Sequence, residues 1–61
     1  MTIHERVWDE EYTDCLDVEE IAGGVKLTLI TEDDASEIVI NAAQSRKLRL
    51  MLTRMERKAQ A

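Results

Sequence analysis

Proline and phenylalanine are absent from this 61-residue chain, cysteine and histidine occur once each, and glycine twice. Each scarcity excludes something. A single cysteine, Cys15, allows no internal disulfide. With His4 as the only histidine, no Cys/His zinc set can be assembled. No run of about 18 apolar residues exists, so no membrane span is expected. The basic and apolar stretches of an export signal are missing from the start of the chain, and with the lone cysteine this points to the cytoplasm. Missing prolines argue against a long disordered linker. Trp8 and Tyr12 are the only aromatics, so the core has to come from Leu, Ile, Val, Met and Ala.

What is there is charge, and it is bipolar. Residues 1–40 hold two bases against twelve acids, a net of −10, whereas residues 41–61 hold six bases against Glu56, a net of +5. A chain this short forms one domain, 1–61, and buries only roughly 60% of its unfolded surface. Small folds usually need a staple. With disulfide and zinc excluded, assembly with a second copy or a partner is the expected one.

The clearest local signal is Gly23-Gly24 between two apolar runs, which reads as a two-residue hairpin turn. That turn would set Val18 opposite Leu29 and Glu20 opposite Leu27. Asp33-Asp34 reads as a second two-residue turn, setting Leu29 opposite Ile38 and Leu27 opposite Ile40. Both turns place Leu16, Val18, Leu27, Leu29, Ile38 and Ile40 on one face, and a one-residue slip in either would scatter them. The other face then carries Asp17, Glu19, Lys26, Thr28 and Glu37, with Ile21, Ile30 and Val39 among them.

Asn41 is a favoured N-cap, and Gln44 three residues on completes a capping box. From there to Lys58 the residues are mostly strong helix formers. Gln44, Leu48, Met51, Leu52, Met55 and Ala59 form one helical stripe, expected to pack on the apolar sheet face. Leu27, Leu29, Ile38, Ile40, Leu48 and Met51 should then be buried together. Arg46, Arg49, Arg54 and Arg57 spread over the opposite side of the helix, around Leu50. Residues 1–14 read as a short helix or an irregular arm, with Trp8 anchored on something because it carries the largest apolar surface. The expected fold is α+β: a three-stranded antiparallel meander over 15–40, one C-terminal amphipathic helix over 41–59, and a variable arm over 1–14.

Chemistry finds little to stand on. His4 has no fixed companion close in sequence for acid–base work. Asp14 and Asp17 flank Cys15, and negative neighbours raise a thiol pKa; Cys15 reads as an ordinary strand residue. Seven carboxylates fall between Asp9 and Glu20, but they lack the spacing of a calcium loop. They read first as a solvated acidic face, and second as a surface that meets a basic groove by imitating the charge of nucleic acid. No catalytic residue, cofactor or metal is therefore expected.

The stretch from Val25 to Met55 is a strand pair running into a helix opened by Asn-Ala-Ala-Gln and continued by Arg-Lys-Leu-Arg. It resembles small proteins of actinobacteria and their phages, and more distantly the dimerisation module of nucleoid-associated xenogeneic silencers, whose last strand also leads into a helix. The resemblance covers about half the chain. It implies no DNA binding, because the sequence has no counterpart of the DNA-binding tail of those silencers.

These readings converge on a small acidic, non-enzymatic protein that binds another protein or itself as a homodimer. Size and charge fit a phage or mobile-element origin with a host protein as target. The expected partner-binding residues are Arg46, Arg49, Leu50, Arg54, Arg57 and Trp8. Arginine is enriched at interfaces, and the helix offers these cations only one acid, Glu56. The competing reading is a nucleic-acid-associated regulator that uses the basic helix.

Overall fold

The computed structural model describes residues 3–60. Four strands, β1 (His4–Trp8), β2 (Cys15–Ile21), β3 (Gly24–Ile30) and β4 (Ala35–Asn41), form one antiparallel sheet in the order β1-β2-β3-β4. Helix α1 (Ala42–Gln60) follows β4 without a loop. The class is α+β as expected, but the sheet has four strands and not three.

The added strand replaces the expected helix or arm. β1 pairs along its whole length with β2, Glu5 opposite Val18, Val7 opposite Leu16 and Trp8 opposite Cys15. The connection over 9–14 contains no glycine or proline and is held by side-chain chemistry instead. The Asp9 carboxylate accepts from the Thr13 backbone N–H (2.9 Å) and hydroxyl (3.0 Å). Tyr12 takes a left-handed φ of 58°, rare for a residue with a bulky side chain. Those bonds hold the Asp9 carboxyl below its ordinary range, the Thr13 N–H foremost and against the opposing effect of burial.

Both hairpins differ from the expected register by two residues. The first turn is Ala22-Gly23, so Val18 faces Leu27 and Leu16 faces Leu29. The second connection runs over 31–34, so Leu27 faces Ile38 and Leu29 faces Ser36. A shift of two leaves every side chain on its original face, because strand side chains alternate with period two. The face assignments survive although the partners change.

The two glycines meet separate demands. Gly23 carries the left-handed φ of 81°. Gly24 has no such angle and is the first residue of β3. A Cβ there would run into the carbonyl oxygen of Ile40 on the neighbouring strand.

At the helix start the capping box is reciprocal. The Gln44 N–H donates to Asn41 Oδ1 (2.8 Å), and the Asn41 N–H donates to Gln44 Oε1 (3.0 Å). Arg57 and Lys58 lie in the last turn, where cations complement the helix dipole.

The expected core does not close. Cys15, 4% exposed, is the only buried hydrophobic residue among those described. Leu29 (51%) and Ile38 are exposed, and Leu27, Ile40, Leu48 and Met51 are half-buried. The cause is the helix's exit. It leaves β4 directly and touches only β3 and β4. Nineteen residues make a rod about 28 Å long, so much of it stands clear of the sheet.

Candidate functional site

The two sides of the sheet differ in kind. One presents His4, Arg6 and Trp8 of β1, Cys15, Asp17, Glu19 and Ile21 of β2, Lys26, Thr28 and Ile30 of β3, and Glu37 and Val39 of β4. Its charges are paired across strands. Asp17 accepts from His4 Nε2 at 2.6 Å and from Arg6 Nε at 3.3 Å. A carboxylate can only accept, so the His4 proton sits on Nε2. The His4 bond foremost, with Arg6 behind it and burial opposing, lowers the Asp17 pKa. Lys26 Nζ meets Glu19 Oε1 at 3.0 Å, and that bond and charge raise the lysine's pKa.

Trp8 lies on this polar face and stays 45% exposed, with Arg6 and Tyr12 beside it. The Arg6 guanidinium lies 5.8 Å from its ring centroid, within cation–π range, and the Tyr12 ring lies 6.5 Å away. It stands directly opposite Cys15 in the ladder.

The other side carries Val7, Leu16, Val18, Val25, Leu27, Leu29, Ile38 and Ile40, interrupted by Glu5, Glu20 and Ser36. The helix rises over this side and leaves a groove of ≈ 450 Å³. Its sheet wall is apolar and includes Val18, Leu27 and Ile40; its helix wall mixes Leu48 and Leu52 with Ser45, Arg49, Thr53 and Glu56. The apolar stripe therefore straddles the groove instead of facing into it. Leu52 and Met55 are exposed.

Of the residues expected to bind a partner, Leu50, Arg54 and Arg57 share one shallow concavity with Lys47 and Met51 on the helix's outer surface. Arg46 and Arg49 turn toward the β2–β3 hairpin and line a second hollow with Glu20, Ile21 and Val25. Trp8 sits on β1, at the opposite sheet edge from β4. The structure thus groups the five helix residues on one element and leaves Trp8 apart from them. Among the described residues, none of the helix's six cations has a carboxylate within 4.0 Å; the ion pairs that form all lie on the polar sheet face.

Reading the sequence missed the open apolar face. Its residues were identified, but as core.

Among the described residues, no three His, Cys, Asp or Glu side chains converge into a set that could hold a metal ion. The helix is not apolar enough to cross a membrane. Comparison with protein-family models, with curated proteins and with solved structures gives no match to this chain.

Proposed function

We propose that this chain is a small acidic protein that works without catalysis, by binding protein through the apolar side of its sheet. One observation carries the reading. Val7, Leu16, Leu29 and Ile38 are exposed on a single face of the sheet, and Val7 and Leu16 share the groove with exposed Leu52 of the helix. Monomeric proteins rarely leave contiguous apolar patches larger than a few hundred Å² in water. The unpaired cations around Leu50 supply a second, polar contact zone suited to an acidic surface, since arginine grips carboxylates in a bidentate way. Such a protein fits the cytoplasm and a phage or mobile-element setting in which a host protein is bound.

The test is the size of the tagged chain in an extract of its host. Wild type should elute in a complex well above its own 7.0 kDa, and Leu16→Asp should elute alone. Wild type eluting alone would overturn the reading.

A second reading rests on the same unpaired cations. Arg46, Lys47, Arg49, Arg54, Arg57 and Lys58 have no carboxylate within 4.0 Å among the described residues and suit nucleic-acid phosphates. A salt titration of labelled DNA or RNA separates the two. Phosphate contacts give a log–log slope of about −0.9 each, whereas an apolar interface is nearly insensitive to salt. Leu50→Asp should weaken contact with an acidic protein surface and leave the helix signal in circular dichroism unchanged.

A further inference from the structure

The exposed surface is too large for a finished monomer. A compact 7.0 kDa chain exposes about 4,000 Å², whereas this one exposes 5501 Å², an excess of roughly 1,500 Å². Its radius of gyration is 13.0 Å, against about 10.5 Å for a compact chain of this length. Part of that excess lies on the groove side, where exposed Leu16 and Leu52 line the groove and exposed Leu29 and Ile38 share the sheet face with Leu16.

We infer that the occupant of this groove is a second copy of the chain, in a two-fold dimer in which each helix lays its Leu52/Met55 stripe against the Leu16/Leu29/Ile38 face of the other. This rests on the protein-binding reading above and names its partner. Three observations select a second copy. The first is area. If each copy gives up roughly 1,500 Å², the interface totals about 3,000 Å², within the 2,000–5,000 Å² of obligate homodimers and well above the roughly 1,600 Å² of a standard interface.

The second is self-complementarity. A two-fold interface uses the same patch on both subunits, and this patch contains both a ridge and a furrow. The helix supplies the ridge, Leu52 and Met55 one above the other on successive turns. The sheet supplies a furrow walled by Val18, Leu27 and Ile40.

The third is charge. Glu5 and Glu20 lie on the apolar side of the sheet and have no cation within 4.0 Å among the described residues. Helical periodicity puts Lys47 and Lys58 on one flank of the stripe and Arg49 on the other. A helix docked across a second sheet brings those cations over the two carboxylates of the other copy.

The experiment is sedimentation of the purified full chain from nanomolar to micromolar concentration, beside three variants. Wild type should be a dimer at micromolar concentration. Leu29→Asp and Met55→Asp, one on each half of the interface, should each raise the dimer dissociation constant at least 100-fold. Val39→Asp, an equally exposed apolar residue on the polar face, should change it less than threefold. Because a monomer released by Leu29→Asp can unfold, the melting temperature of wild type is followed with concentration as well. It should rise as the chain is concentrated, since mass action stabilises a folded dimer. A wild-type chain that stays monomeric throughout, with a melting temperature independent of concentration, overturns the dimer. So does a dimer broken by Val39→Asp and untouched by Met55→Asp. If the purified chain is monomeric yet still elutes in a larger complex from the host extract, the second copy is wrong and the protein-binding reading stands.

Discussion

Leu29 and Val39 are close to equally exposed, at 51% and 57%, on neighbouring strands of one sheet. They face opposite ways and keep different company. Val39 stands opposite Lys26, with Glu37 and Asn41 beside it on its own strand, in a field where Asp17 is paired with His4 and Arg6, and Glu19 with Lys26. Leu29 stands opposite Leu16, beside Leu27, on the sheet face that floors the groove. A single exposed apolar side chain is ordinary. The contrast shows that what marks an unfinished surface is contiguity and not exposure.

The largest effect should come from the groove side. Leu27→Ala should cost about 2–5 kcal/mol in denaturant melting at micromolar concentration, the range for a fully enclosed leucine. A loss under about 1 kcal/mol would mean that the groove stays open in solution. Next comes the β3–β4 contact that sets the helix's exit. Gly24→Val should cost about 1–3 kcal/mol, because its side chain collides with the Ile40 carbonyl. Gly23→Ala, with open space around it but a left-handed φ, should cost about 1–2 kcal/mol. Losses under about 0.5 kcal/mol at both sites would show that the hairpin can slide.

Asn41→Ala removes the cap bond to Gln44 and should cost about 1 kcal/mol, seen as lost helix signal with the sheet retained. On the polar face, Val39→Ser should stay within about 0.5 kcal/mol of wild type. The smallest effects are those of pH, and apart from that of Asp9 in the β1–β2 connection they belong to the polar side. Asp17 has a lowered pKa in the fold, so its contribution is present above the ordinary value of 3.8 and fades as pH falls through the lowered one. Lys26 has a raised pKa, so its contribution is present below 10.5 and fades as pH rises through the raised value. Asp17→Asn should flatten the acid limb of a stability–pH curve, and an unchanged limb would remove the His4–Asp17–Arg6 cluster as its source.

Much of this was legible in the sequence. Period-two alternation put Leu16, Val18, Leu27, Leu29, Ile38 and Ile40 on one face and Asp17, Glu19, Lys26, Thr28, Glu37 and Val39 on the other, and Asn41 with Gln44 announced the cap. The strand β1 was not legible for a local reason. His-Glu-Arg-Val-Trp offers one aliphatic residue, and the turn after it is built from an aspartate side chain and a tyrosine in a glycine-like conformation. The register was misread because two adjacent glycines look like one turn, whereas Gly23 serves the turn and Gly24 a close approach between strands. The open groove was illegible in principle. Apolar periodicity records which residues call for cover, and says nothing of whether the cover comes from the same chain. The helix residues singled out for a partner lie together on α1, but Trp8 serves the β1 end of the polar face.

The nearest-neighbour order of the sheet also has a bearing on time. Every strand pairs with the strand next to it in sequence, so the sheet needs only short loops to close, and such local topologies fold fast. In the proposed dimer the slow step is then an encounter and not a search through conformations. Refolding should show a fast phase indifferent to concentration as the hairpins zip, followed by a phase that accelerates as molecules become more numerous. Between the two, each newly formed sheet presents Leu16, Leu29 and Ile38 to water, and dilution prolongs that interval.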